Sequence, residues 1–202
     1  MSIYGSCQES LDSVMNRIIS QIETYSKAYE EANGERLYEH LRYRVKSEQS
    51  MLEKLRKHGL DPTPYHALRT LTDAIGLRIV CLFIDDVYEN ATRIRELPGI
   101  RVVQEKDYIQ NAKPNGYRSY HMIVDVETEE ADIEGNTPGH YFVEIQLRTI
   151  AMDTWAALEH ELKYKKSIQN PELIAQELHR CANDLAACDV SMQTLKRLIR
   201  EM

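Results

Sequence analysis

Between Arg42 and Lys57 the chain gathers Arg42, Arg44, Lys46, Lys54, Arg56 and Lys57 against only Glu48 and Glu53. The first of these alternate as a strand does: His40, Arg42, Arg44 and Lys46 fall on one face, and Leu37, Leu41, Tyr43 and Val45 on the other. Ser47 then caps a helix that sets Ser50 and Lys54 one turn apart. Cations and a hydroxyl converging at a helix start suit a polyphosphate. A solvated, salt-bridged surface is the alternative, weakened because the basic side chains alternate with apolar ones. Two carboxylates stand further along. Asp73 leads into a core strand as Asp73-x-x-Gly76-x-Arg78, and Glu144 shares a strand face with Gln146 and Arg148, opposite Val143, Ile145 and Leu147. A carboxylate on a half-buried sheet face needs a cation, and with Asp73 it offers oxygen ligands to Mg²⁺, which is held by one or two carboxylates plus substrate phosphates. Each acid alone reads equally well as a turn residue or an ordinary ion-pair partner. Lys113-Pro-Asn-Gly-Tyr117-Arg118-Ser-Tyr120-His121 brings two aromatics, two cations and an imidazole to one loop–strand junction. Such a group can stack on a purine and hold phosphates; a hairpin turn with incidental aromatics is the plainer reading. Met152-Asp-x-Trp155-x-x-x-Glu159-His160 lacks H-E-x-x-H spacing and reads as a packing face, with Glu159 and His160 as supporting anchors.

The elements that must position these residues follow from periodicity. Leu11, Val14, Met15, Ile18, Ile19, Ile22, Tyr25 and Tyr29 recur at helical spacing over about 10–33, ending at Asn33-Gly34. A strand over 37–46, a helix from Ser47 to Gly59 and a proline loop at 61–64 come next. Ile75 to Phe83 reads as a buried strand, Asp85 to Leu97 as a helix, and Ile100 to Val103 as a short strand. Ile109 to Gly116 is a polar loop, Tyr120–Val126 and Tyr141–Leu147 are strands, and Ala151–Lys165 and Pro171–Glu201 are helices. The order predicts an α+β (mixed α/β) sheet of about five strands with helices burying both faces, in one domain over 1–202 with its core at about 37–166. Composition sets the outer bounds. Its 202 residues, 43% hydrophobic and 28% charged, are those of a globular chain rather than a disordered one. No apolar run reaches the ~20 residues of a membrane helix, and the N-terminus has no signal-peptide pattern. Cys7, Cys81, Cys181 and Cys188 form no C-x-x-C pair, which points to reduced thiols in the cytoplasm. A net charge of −7 excludes bulk electrostatic binding to nucleic acid, though not a local basic pocket. Neither G-x-G-x-x-G nor G-x-x-x-x-G-K-[ST] occurs, which closes those two routes to a nucleotide.

In chain order, Asp73-x-x-Gly76-x-Arg78, Gly116-Tyr-Arg-Ser-Tyr-His121, Glu144-Ile-Gln-Leu-Arg-Thr149 and the Met152-Asp-x-Trp-Ala…Glu159-His160…Tyr164-Lys165 helix resemble the RelA/SpoT synthetase domain. The chain is most similar to that family's stand-alone small alarmone synthetases, over roughly 41–166. The resemblance implies a nucleotidyltransferase-like mixed sheet and transfer of pyrophosphate from ATP to the 3′-OH of GDP or GTP, giving (p)ppGpp and AMP. It implies that Arg44 and Arg78 sandwich adenine, that Lys46, Ser50 and Lys54 hold the ATP phosphates, and that Asp73 and Glu144 bind Mg²⁺ and carry catalysis. It places Tyr117 on guanine, Lys113, His121, Gln146 and Arg148 around the acceptor nucleotide, and Lys106 on phosphates from a mobile loop. Lys163 departs from the Asn or Arg of relatives near that site. The resemblance further implies a homotetramer, single-stranded RNA as a regulatory partner, and no membrane association. With neither a hydrolase motif upstream nor a ribosome-sensing region downstream in the sequence, activity is expected to be set by expression or a small effector. A pyrophosphokinase acting on tRNA or adenine nucleotides, and a non-catalytic RNA-binding or sensing module, are the competing classes. The first needs a basic acceptor surface, and the second leaves both carboxylates and all the cations without a task.

Overall fold

The computed structural model describes residues 2–164 and 170–201, with side chains through 162 in the first stretch. Its elements are α1 (Gln8–Asn33), β1 (His40–Val45), α2 (Glu48–Lys57), β2 (Ile75–Cys81), α3 (Ile84–Arg95), β3 (Ile100–Asp107), β4 (Tyr120–Thr128), β5 (Gly139–Thr149), α4 (Ile150–Tyr164) and α5 (Pro171–Glu201). A single π turn at His66–Thr70, which the sequence reading had not resolved, precedes β2. The five strands form one sheet in the order β1-β2-β5-β4-β3. β2 and β5 are parallel neighbours and the other three pairings are antiparallel, so the sheet is mixed as expected.

One face of the sheet is the core. Ile75, Leu77 and Ile79 of β2 lie beside Val143, Ile145 and Leu147 of β5, with Met122 and Val124 of β4 next to them, all buried. Onto this face α1 lays Leu11, Val14, Ile18, Ile19 and Ile22, and α3 adds Val87, Ala91 and Ile94. Each of the Val, Leu and Ile side chains among these contributes about 1.5–3 kcal/mol of hydrophobic stabilisation. α1 ends where Gly34 adopts the left-handed conformation (φ 71°) and its N–H closes back on the Glu30 carbonyl.

The opposite face corrects the expectation of a sheet buried on both sides. In β2 and β5 the residues between the buried ones (Gly76, Arg78, Glu144, Gln146) remain half-exposed, so these central strands alternate. Tyr43 was read as apolar core and is instead 51% exposed. It stands on β1, an edge strand whose inward residues Leu41 and Val45 are only half covered. β3 runs to Asp107 rather than stopping at Val103. Lys106 therefore sits in the sheet opposite His121, not on a loop.

Candidate active site

Strand register assembles the polar face in two rows that cross the whole sheet. Residues directly paired on neighbouring strands share a face. One row reads Arg44, Gly76, Glu144, Ile123 and Gln104; the next reads Arg42, Arg78, Gln146, His121 and Lys106. Two cavities open on these rows, each of about 240 Å³. The first lies over β1 and β2 and is lined by Arg42, Tyr43, Arg44, Lys46, Asp73, Arg78 and others. The second lies over β3 and β4, among Gln104, Lys106, Tyr108, Lys113 and His121. Glu144 lines both.

In the first cavity the cations converge on Asp73. The N–H of Lys46 donates to the Ala74 carbonyl at 2.8 Å, which fixes Lys46 beside the residue before β2. Lys46 Nζ then pairs with Asp73 Oδ2, and Lys54 Nζ reaches the same oxygen at 2.6 Å from α2. Ser47 caps α2 as expected, accepting from the Ser50 N–H at 3.3 Å. Burial raises the Asp73 carboxyl, but the two ammonium groups outweigh it and hold the group below the usual carboxylate range. Its other oxygen, Oδ1, is buried with no hydrogen-bond partner among the described residues. Burial pulls the Lys46 ammonium down, against the attraction of Asp73. Gly76 lies opposite Arg44, and a Cβ built there meets nothing within 4 Å, so the sheet leaves a gap between Arg44 and the diagonal Arg78. Ser50 is exposed, held by the Ser47 hydroxyl at 2.9 Å, and lines neither cavity.

The second cavity depends on the loop between β3 and β4. Its turn closes through Gly116 N–H to the Lys113 carbonyl (2.8 Å) and Lys113 N–H to the Tyr117 carbonyl (3.1 Å). Gly116 has φ +91°, and a Cβ there would stand 2.5 Å from the Ala182 methyl of α5, so only glycine fits between loop and helix. Lys113 Nζ sits 4.5 Å from the ring centroid of Tyr108 and 4.8 Å from that of Tyr117. Tyr117 OH is 2.7 Å from His121 Nε2, and His121 Nδ1 is 3.5 Å from Glu144 Oε1. Gln146 Nε2 donates to Glu144 Oε2 at 3.1 Å. Burial raises the Glu144 carboxyl, but His121 and Gln146 outweigh it and keep it below its ordinary value.

Asp73 and Glu144 thus line the same cavity because β2 and β5 are parallel neighbours, with Gly76 paired to Glu144 and Asp73 just ahead of β2. Of the acceptor-side residues, Lys106, Lys113 and His121 line the second cavity, Gln146 lines the first, and Tyr117 and Arg148 line neither. Arg148 departs furthest from its expected place. It is 5% exposed, lines neither cavity, and gives its hydrogen bonds to Asp153, Tyr117 and Gln146. Tyr108, Arg42 and Gln104 line the cavities without having been singled out as site residues. Tyr108 had a signal, an aromatic beside the basic loop; the cavity positions of Arg42 and Gln104 emerge only from register. The Lys163 and Tyr164 side chains and Lys165 lie outside the described residues.

The region found in RelA/SpoT proteins is matched over residues 43–169, more than half of the chain. The chain is 34% identical over 183 residues to the GTP pyrophosphokinase YwaC of Bacillus subtilis, covering 91% of this chain and 85% of that protein. It is 37% identical over 158 residues to the GTP pyrophosphokinase YjbM of the same organism, covering 78% and 72%. Among solved structures, small alarmone synthetase 1 from Bacillus subtilis bound to its product pppGpp superposes with a TM-score of 0.81 at 31% identity, covering 94% of each chain. The family match over most of the chain, the two relatives and the shared fold have one common reading: the chain belongs to the RelA/SpoT family.

Proposed function

We propose that this protein is a (p)ppGpp synthetase that moves the β,γ-pyrophosphoryl group of ATP to the ribose 3′-OH of GDP or GTP and releases AMP. The observation that carries the reading is Glu144, which alone among the described residues lines both the arginine-rich cavity and the aromatic, lysine-bearing one. A two-substrate transfer needs such a point, where a donor and an acceptor meet in line. In the first cavity Arg44 and Arg78 take the adenine as guanidinium planes, and Lys46 and Lys54 turn from Asp73 to the triphosphate. In the second, Tyr108 offers a ring to guanine beside the neighbouring Tyr117, with Lys113, Lys106 and His121 near the acceptor's ribose and phosphates; Gln146, on the wall of the first cavity, meets them through Glu144. The 3′-oxygen attacks the β-phosphorus, the bond to the α,β-bridging oxygen breaks, and AMP leaves with that electron pair. Glu144 accepts the 3′-OH proton as the new bond forms.

Mg²⁺ belongs to this proposal. The unpartnered Asp73 Oδ1 and the Glu144 carboxylate are hard oxygen donors, and Mg²⁺ needs no more than one or two of these when phosphates complete its shell. Bound there, it would neutralise charge on the transferring phosphates. Leu173, Val190, Leu195, Leu198 and Ile199 are exposed on α5 and support assembly into a homotetramer. No helix among the described residues is long and apolar enough to cross a membrane, and a cytoplasmic enzyme regulated by single-stranded RNA completes the proposal. The test is incubation with β- or γ-labelled ATP and Mg²⁺, with GDP, GTP or tRNA supplied in turn. Label in a guanosine tetra- or pentaphosphate, with stoichiometric AMP, is expected. Label on tRNA alone, or no transfer, overturns the assignment.

A further inference from the structure

The family resemblance implies that Arg148 touches the acceptor nucleotide, yet it is buried and lines neither cavity. A guanidinium carries five N–H donors and no acceptor, so every polar atom it touches must accept. Its Nη2 donates to Tyr117 OH and to Gln146 Oε1, each at 2.8 Å, and its Nη1 donates to Asp153 Oδ1 at 2.9 Å. That requirement sets the direction of every bond further out. With Gln146 Oε1 turned to Arg148, the amide NH₂ must face Glu144, and it does so at 3.1 Å. With its oxygen accepting from Arg148, Tyr117 has one acceptor among the described residues for its own proton, His121 Nε2 at 2.7 Å. An accepting Nε2 leaves the proton of a neutral imidazole on Nδ1, the nitrogen 3.5 Å from Glu144 Oε1.

We infer that Arg148 is a positioning residue: anchored by Asp153, it fixes the amide orientation of Gln146 and, through Tyr117, the tautomer of His121, so that both present N–H to Glu144. The carboxylate is held in one orientation from two sides, and neither neighbour competes with it for a proton. This inference deepens the proposed function, since it takes Glu144 as the carboxylate on which transfer turns. Asp153 belongs to the same device. Its Oδ1 also pairs with Arg78 Nη1 at 3.2 Å, so one carboxylate holds two guanidinium groups that would otherwise repel.

The test reads the tautomer directly in the free enzyme, independently of any transfer activity. Nitrogen-15 NMR of ring-labelled protein at about pH 8 separates protonated from accepting ring nitrogens, and His121→Gln identifies the His121 signals. The wild-type ring is expected to carry its proton on Nδ1. Tyr117→Phe keeps the aromatic ring and deletes only the hydroxyl, and it should abolish that preference, as should Arg148→Gln. If Arg148→Gln does not fold, Tyr117→Phe alone decides. Kinetically, Arg148→Gln should lower kcat about 10–100-fold, the usual cost of losing an orienting partner one shell out, with a smaller change in acceptor KM. A wild-type His121 protonated on Nε2 or on both nitrogens overturns the inference, as does a tautomer unmoved in Tyr117→Phe. An Arg148 variant that raises acceptor KM while kcat and tautomer hold marks a nucleotide ligand instead. Transfer failing in wild type while the tautomer pattern appears would instead fault the functional reading.

Discussion

Replacing Gly76 by alanine should make the protein more stable and a worse enzyme. Gly76 is an interior strand residue with ordinary extended backbone, since its φ is not among the positive values, and a Cβ there meets nothing within 4 Å. The substitution therefore adds neither strain nor clash, and it removes unfolded-chain entropy worth about 0.4–1 kcal/mol. In a chain of this size that is a rise of roughly 1–4 °C in Tm. The open space that accepts the methyl is the cavity between Arg44 and Arg78, the space proposed above for adenine. One surplus methyl-sized group in a fitted pocket costs about 1–3 kcal/mol, or roughly 10–200-fold. KM for ATP should rise by that factor, with acceptor KM little changed because the acceptor cavity lies beyond Glu144. Steady-state kinetics varying each nucleotide, with a thermal melt on the same preparation, tests both halves. An unchanged ATP KM in a folded variant would refute the placement of the donor base. A Tm lowered by several degrees would refute the claim of open space.

Arg44 is exposed on an edge strand and is assigned as a flat stacking plane, so Arg44→Lys should raise ATP KM while leaving the melt unaltered; equal kinetics would remove it from the base site. Asp132 is buried under Arg69 and accepts from the Glu134 and Asn136 N–H groups at 2.9 and 3.0 Å. Burial raises its carboxyl, but Asn136, Glu134 and Arg69 hold it below the ordinary value near 3.8. A folded-state pKa below the unfolded one gives stability present above about pH 4 and lost as pH falls through the folded value. Asp132→Asn should therefore lose stability at pH 7 and show a flatter acid limb in urea melts, and an acid limb as steep as wild type would contradict this. Light scattering at micromolar concentration should find a tetramer; a monomer would leave the exposed α5 residues, Ile199 at 72% among them, without an assembly role.

The sequence was most legible where one physical signal dominated. The stripe from Leu11 to Ile22 specified α1, Ser47 marked the start of α2, and Pro171 that of α5. The alternation of Val143 to Arg148 separated the core face from the polar face of β5. The run Ile75 to Phe83 misled because apolar residues surround Gly76 and Arg78, so periodicity alone gave no hint of an open face. The C-terminal half of β3 escaped because Gln104, Glu105 and Lys106 carry no apolar pattern; pairing with β4 makes that segment a strand. The chemistry-bearing residue types were visible, but their two cavities were not. Those come from strand order and register, which depend on contacts distant in sequence. Arg148 shows the limit well: its residue type suits a phosphate ligand, and only burial and donor counting give it another task.

In the proposed reaction Asp73, on the wall of the first cavity, and Glu144, which lines both, carry the transfer as one unit. Single-turnover pyrophosphate transfer by Asp73→Asn, Glu144→Gln and the double variant, normalised to the folded fraction from thermal melts, tests it most directly. Normalisation matters because Asp73→Asn leaves the Lys46 and Lys54 ammonium groups without their shared partner. Each single variant should lose about 10²–10³ in rate, the scale of one lost electrostatic contact to a transition state, and the double should be little worse than either. Folded single variants that transfer pyrophosphate at near wild-type rates would contradict the account.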